Sequence, residues 1–149
     1  MVDFIKDIRC IDISREKYKE IIELYSNFKK IDNKILTIEK LDSIIEKIYY
    51  NKNHYIYFYI SKDKIIGAIT LFIEQKIIHD GMCVGHIEDL VVNKKYRGMG
   101  VGKILLNHVI DKSKENNCYK CILDCDISLE NYYLNNGFTK KGLYMAKYF

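Results

Sequence analysis

Two groups of residues in this chain have types and spacings suited to chemistry. The first is the run Arg97-Gly98-Met99-Gly100-Val101-Gly102, which follows the apolar Leu90-Val91-Val92 and the polar Asn93-Lys94-Lys95-Tyr96. Three glycines within five residues at a helix start let the backbone approach a ligand closely and present unpaired N–H groups. Those amides, with the positive end of the helix dipole, favour phosphate oxygens, and Arg97 adds a charged fork. A P-loop would close on Lys-Ser/Thr, and a dinucleotide fingerprint would place its last glycine three residues after the second; neither spacing is present. A tight strand-to-helix turn is the reading that the glycines alone leave open. The second group is a set of acids and phenols in apolar surroundings. Glu88 and Asp89 are adjacent inside an apolar run, where an unpaired buried charge is costly. Consecutive strand residues point to opposite faces, so a regular strand cannot aim both at one ligand. An exposed edge with one acid salt-bridged is the plainer alternative. Asp124 sits between Leu123 and Cys125 in a second apolar strand, and Asp126 shares its strand face or caps the next helix.

These residues need elements to position them. Apolar alternation predicts a first strand over 4–13. Ser14 reads as an N-cap, and Tyr18, Ile21, Ile22, Tyr25 and Phe28 recur at helical spacing, predicting a helix over 15–28. Thr37 caps a second helix over 37–50. Residues 54–60 are β-branched and aromatic, a turn follows at 61–64, and strands are expected over 65–78 and 85–92. A helix over 101–116, a strand over 120–125, a short helix over 129–136 ended by Gly137 and a last strand over 143–149 complete the chain. Hairpins come first and a strand–helix–strand crossover second. The expected fold class is therefore α/β (α+β), a single mixed, mostly antiparallel sheet with a central parallel pair and helices on both faces.

Composition narrows the function classes. A chain of 149 residues suits one domain over 1–149, large enough to fold without staples. At 48% hydrophobic and 30% charged it is too apolar for a disordered tail and too charged for a membrane span. The start, Met1-Val2-Asp3-Phe4, lacks the basic-then-apolar order of a signal peptide, so a cytoplasmic location is expected. The 25 Ile and 21 Lys against 3 Arg and 2 Ala look like AT-rich coding bias. The net charge of +4 is built from lysines that alternate with acids, not from the one-sided block of a nucleic-acid binder. Five cysteines (Cys10, Cys83, Cys118, Cys121, Cys125) are an odd number, and Cys118-x-x-Cys121 has no second pair at zinc spacing. Reduced thiols and no metal are expected.

The Arg-Gly-x-Gly-x-Gly run after a strand, together with Asn131-Tyr132-Tyr133 leading to Asn135-Asn136-Gly137-Phe138, resembles the GCN5-related N-acetyltransferases. In that superfamily the glycine run is the acyl-CoA pyrophosphate loop. Four more blocks resemble the eukaryotic glucosamine 6-phosphate N-acetyltransferase family: Glu74 to His79, Gly85 to Val92, Cys118-Tyr119-Lys120 and Leu123 to Asp126. The resemblance covers nearly all of the chain. It implies an acetyltransferase fold and direct transfer from acetyl-CoA to the 2-amine of glucosamine 6-phosphate, on the route to UDP-N-acetylglucosamine. It further implies a homodimer in which the C-terminal strand crosses between subunits and both chains build each site. By the same resemblance, Leu90, Val91, Val92, Arg97, Gly98, Met99, Gly100, Val101, Gly102, Lys103, Asn131 and Tyr133 hold acetyl-CoA. Lys76, His79, Tyr119 and Lys120 meet the sugar phosphate side, and Glu88, Asp89 and Asp124 the amine. A β-bulge usual to the fold would turn Glu88 and Asp89 together and free the N–H groups of Leu90 to Val92 for the acetyl carbonyl and pantetheine. Tyr133 matches the tyrosine that hydrogen-bonds the departing sulfur, which a phenol can do without ionising, whereas Tyr132 reads as core. The catalytic set implied is Asp124, Tyr133, Glu88 and Asp89.

The chain also departs from that pattern. Leu129 stands where many relatives place an asparagine for the pantetheine arm, with Asn131 two positions later. Residues 28–36 lack the Leu-Thr-x-x-Gly stretch, and the end Lys147-Tyr148-Phe149 lacks an arginine. Three alternatives stay open: an acetyltransferase for another small amine or a protein terminus, a non-catalytic acyl-CoA-binding regulator, and a nucleic-acid module. Lys76–His79 and Tyr119–Lys120 favour an anionic sugar over a polyamine, and intact Asp124 and Tyr133 speak against the regulator. Partners are therefore expected to be a small molecule and a second copy, with no nucleic acid and no membrane.

Overall fold

The computed structural model describes residues 3–32 and 34–149. A five-stranded sheet has the order β1 (Phe4–Asp7), β2 (His54–Ser61), β3 (Lys64–Gln75), β4 (Cys83–Val92) and β5 (Cys118–Ile122). The first four strands pair antiparallel and β4 pairs parallel with β5. Between β1 and β2 lie α1 (Arg15–Tyr25) and α2 (Ile38–Tyr50); α3 (Val101–Glu115) makes the β4–β5 crossover, and α4 (Glu130–Leu134) follows β5.

Local chemistry sets the helix starts. Ser14 Oγ accepts the Lys17 N–H at 3.3 Å, and Thr37 Oγ1 accepts the Lys40 N–H at 3.3 Å, satisfying donors that the first turns leave free. The β2–β3 hairpin closes through Lys62 and Asp63, both left-handed at φ +48° and +65°, as a tight two-residue turn needs. Helices cover both faces of the sheet. Ile21, Leu24, Leu41 and Ile48 of α1 and α2 pack on Phe58, Ile60, Ala68 and Val91. On the other face Val101, Leu105, Leu106 and Val109 of α3 pack on Tyr57, Ile69, Leu71 and Ile87. Strand β3 is buried on both faces, which is why residues 65–71 read as a continuous apolar run rather than an alternation.

Four elements differ from the sequence expectation. The first strand ends at Asp7 instead of running to 13, because the Asp7 carboxylate accepts the Arg9 N–H at 2.9 Å and starts a 3-10 turn at Ile8–Cys10. The strand expected over 120–125 starts at Cys118 and stops at Ile122, its register with β4 ending at His86. Asp124 therefore lies beyond the strand and not in it. The helix expected over 129–136 divides into a 3-10 turn, Ile127–Leu129, and the five residues of α4. Asp126 takes the capping role of its two readings, accepting the Ser128 N–H at 2.8 Å. The strand expected over 143–149 does not form: Leu143, Tyr144, Met145, Tyr148 and Phe149 are each at least 70% exposed. Among the described residues, these pair with no strand and are covered by no helix of the chain. The parallel pair consequently sits at one edge of the sheet rather than at its centre.

Candidate active site

The site grows from one irregularity in β4. Thr70 pairs with Glu88 and Ala68 with Val91, so Asp89 and Leu90 together face the single residue Ile69. This is a β-bulge, and Asp89 takes φ +51° to make it. Directly paired residues share a sheet face, which puts Glu88 with Thr70 on the α1–α2 side. Asp89 lies near enough for its charge to act on Tyr25, at the end of α1, and on His54. Burial and then Asp89 drive the Tyr25 ionisation far up, while burial and Arg9 hold His54 below the usual histidine range against Asp89. The bulge thus turns two successive acids to one side.

Beyond His86 the outer edge of β4 has no strand neighbour, since β5 has already stopped at Ile122. Backbone groups from Leu90 to Val92 border that gap, with Val91 itself buried in the α1–α2 core. Asp124 leaves the end of β5 on the far side of the gap and reaches Glu88 through its charge. Burial, then Asp124 and Asp89, push Glu88 above the ordinary carboxylate range, opposed by His86. Tyr133 on α4 closes the group. Burial, Tyr132, Cys125 and Asp124 push its phenol up to about 12, so it remains a donor throughout the neutral range. Glu88, Asp89, Asp124 and Tyr133 are therefore brought together, although they come from three separate segments.

Four residues upstream on β4 the charge reverses. Glu74 Oε1 takes the Lys76 ammonium at 2.6 Å and Glu74 Oε2 meets His86 Nε2 at 2.8 Å. Hydrogen bonds from Lys76 and then His86 hold the Glu74 carboxyl below its usual range. Lys120 pairs with Val84 in the adjoining register, and its ammonium lies 5.3 Å from the Tyr119 ring centroid. His79, left-handed at φ +57° in the β3–β4 turn, stacks obliquely on Tyr119 with centroids 4.2 Å apart. Lys76, His79, Tyr119 and Lys120 thus fall into two neighbouring contact groups at the start of β4. Sequence reasoning missed Glu74 and His86 as members. The signal was present in the alternation of His86 with Glu88 on one strand face.

The glycine run sits at the other end of the gap. Asn93 Oδ1 accepts the Lys95 N–H at 3.1 Å and opens a 3-10 turn at Lys94–Tyr96. Arg97 Nε donates to the Val92 carbonyl at 3.1 Å, which anchors the guanidinium beside the loop. Gly98 and Gly100 adopt φ +78° and +84°, a region that side-chain-bearing residues rarely enter. Gly100 precedes α3 without any side-chain cap, so the first-turn N–H groups of Val101, Gly102 and Lys103 are left to an outside acceptor. Val101 is buried and reaches a ligand only through its backbone, whereas Met99, Lys103 and Asn131 are exposed. Uncapped amides on a 15-residue helix beside an arginine fit an anionic group such as a coenzyme pyrophosphate.

A sequence model of the Acetyltransferase (GNAT) family matches residues 18–138, a span that includes the bulge, the glycine run and Tyr133. The chain belongs to that family. Within it, the glucosamine 6-phosphate N-acetyltransferase of Arabidopsis thaliana is 32% identical over 145 residues, covering 95% of each chain. A probable glucosamine 6-phosphate N-acetyltransferase 2 of Oryza sativa is 42% identical over 88 residues, which are 59% of this chain and 53% of the rice protein. Several other relatives are likewise matched over about half their length, among them the Trypanosoma brucei brucei enzyme at 51%. The crystal structure of the Arabidopsis enzyme superimposes with a TM-score of 0.87 at 29% identity, covering 100% of this chain and 99% of that one. A Trypanosoma brucei acetyltransferase follows at 0.86 and 25%, covering 99% of this chain and all of the other. The fold class expected from sequence is thereby established as an acetyltransferase fold.

Proposed function

We propose that this family member transfers the acetyl group of acetyl-CoA to the 2-amine of glucosamine 6-phosphate, giving N-acetylglucosamine 6-phosphate and CoA. The observation that carries the reading is the polarity of the open sheet face. Carboxylates gather at the bulge, and cationic groups gather at the start of β4, about 13 Å away at ~3.3 Å per residue. A molecule with an amine at one end and a phosphate at the other suits that polarity, and a diamine does not.

Acetyl-CoA supplies the thioester. Glu88 and Asp124 draw the sugar ammonium in, and Glu88, whose hold on a proton is strengthened by burial and the neighbouring acids, takes its proton, leaving a nitrogen lone pair to attack. Backbone N–H groups along the unpaired edge of β4 donate to the carbonyl oxygen as charge develops on it. The new C–N bond forms as the C–S bond breaks, the second proton leaves the acylated nitrogen and ends on the thiolate to give CoA-SH, and Tyr133 donates a hydrogen bond to that departing sulfur. Lys76, Lys120 and His79 hold the phosphate, while Arg97, Lys103 and the first turn of α3 hold the coenzyme pyrophosphate. Asp89 sets the bulge and adds negative potential, Asn131 borders the pantetheine path, and Tyr119 carries the cationic cluster on its ring.

The same reading includes a homodimer in the cytoplasm, serving UDP-N-acetylglucosamine synthesis. Support for the dimer is the exposed apolar segment at 143–149 together with the unpaired outer edge of β5. Thiol release from acetyl-CoA with glucosamine 6-phosphate, glucosamine, spermidine and an N-terminal peptide tests the reaction. Turnover is expected with the phosphosugar well above the others. Turnover confined to spermidine or the peptide overturns the acceptor, and none with any amine overturns catalysis. Light scattering of a chain ending at residue 142 tests the dimer, which is expected to dissociate.

A further inference from the structure

The hydroxyl of Tyr132 is the one buried side-chain oxygen or nitrogen among the described residues that has no hydrogen-bond partner. A buried hydroxyl without a partner loses its hydration and gains nothing in return, so a phenylalanine would serve the fold better there. Its location explains why the oxygen is tolerated. The hydroxyl lies against the first turn of α3, where a Cβ on Gly102 would stand 3.0 Å from it and 3.7 Å from Val92 Cγ2. The third glycine of the run is thus the space this oxygen occupies. Two sets of unpaired donors meet at this point: the Tyr132 O–H and the uncapped N–H groups of α3. The ring also touches the leaving-group side of the site, standing edge-on to Tyr133 at 5.1 Å and 79°, and Tyr133 stands edge-on to Phe138 at 5.8 Å.

We propose that the Tyr132 hydroxyl is a coenzyme-binding group whose acceptor is an amide or phosphate oxygen of acyl-CoA bound at the uncapped first turn of α3. No covalent step is involved: the hydroxyl gains one hydrogen bond. This rests on the reading of acyl-CoA as a substrate, but not on the identity of the amine.

Tyr132→Phe removes one oxygen and keeps the ring. Without ligand, the variant is expected to unfold about 3 °C higher than the parent, because an unsatisfied group is gone. Its affinity for CoA, measured by calorimetry with no amine present, is expected to fall about tenfold. The rise in unfolding temperature at saturating CoA shrinks correspondingly. Unchanged CoA affinity overturns the proposal. So does a lower unfolding temperature in the unliganded variant, since the hydroxyl would then already have a partner. Gly102→Ala supplies a second arm: its methyl would crowd the oxygen in the parent but not in Tyr132→Phe, so its loss of thermal stability is expected to be smaller in the double variant. Additive losses overturn the placement of the hydroxyl. A parent protein that binds no CoA overturns the proposed reaction itself, an outcome distinct from a parent and variant that bind alike.

Discussion

The two halves of β4 have similar apolar composition but different surroundings. From Cys83 to His86 the strand is paired on both sides, to β3 and β5, and Val84 is fully buried. From Glu88 to Val92 it keeps only β3, is bent by the bulge, and turns its other edge to the gap that β5 leaves. The paired half is a rigid base from which side chains project at fixed spacing, with His86 and Lys120 on neighbouring strands. The unpaired half offers its own backbone. Unpaired N–H and C=O groups are tolerated where water or a ligand can meet them, and become binding groups for that reason. Projecting side chains and open main chain are thus divided along one strand, with the change falling between His86 and the bulge at Asp89 and Leu90.

The largest expected break is at the unpaired half. Asp124→Asn keeps shape and hydrogen bonding but removes the charge beside Glu88; kcat is expected to fall about a thousandfold, with CoA affinity unchanged by calorimetry. A loss of CoA affinity with kcat intact would move Asp124 out of the amine's neighbourhood. Next is Tyr133→Phe, for which single-turnover rates are expected to drop about a hundredfold while CoA binding weakens far less. If binding were abolished and turnover per bound complex preserved, Tyr133 would belong to coenzyme binding alone. The paired half should respond differently. Lys120→Ala is expected to raise KM for glucosamine 6-phosphate about tenfold and leave kcat and the weak use of glucosamine unchanged, because only the phosphate contact is lost. An equal effect on glucosamine would separate Lys120 from the phosphate.

The smallest effect is on stability and follows from Glu88. Burial, Asp124 and Asp89 raise its pKa, so the folded chain holds this proton more firmly than the unfolded chain. Stability is then greatest while Glu88 is protonated, and it declines as pH climbs from the ordinary carboxylate range through the raised value. Glu88→Gln is expected to raise the unfolding temperature at pH 7. The gain should vanish at acid pH, where the parent is also neutral. A gain of equal size at all pH values would refute the electrostatic origin.

Much of the fold was legible because its signals are local. Ser14 and Thr37 announce helix starts through hydrogen bonds within three residues, and the apolar period of 101–115 marks α3 without reference to the sheet. The glycine run was legible for the same reason, since a positive φ is a property of single residues. Strand limits were not. The stretch 120–125 keeps apolar residues to its end, but pairing stops at Ile122, and Asp124 lies beyond the ladder. The segment 143–149 has the composition of a strand but stays exposed and unpaired. Glu74 and His86 lie 12 residues apart and meet only because β3 and β4 are in register.

By itself the sequence determined the residue types and local shapes of the candidate site: a glycine-rich turn at a helix start, two adjacent acids, an acid among apolar neighbours, and a tyrosine pair. It also contained the family to which the chain belongs. Only the tertiary structure decided how these pieces share a site. The bulge aims Glu88 and Asp89 to one side, the early end of β5 opens the backbone of β4, and Gly102 admits an oxygen from α4, 30 residues away in sequence. Each of these depends on strand register or on a close approach between distant segments. Such relations follow from the packing of the whole sheet and its helices, which no short stretch of sequence encodes.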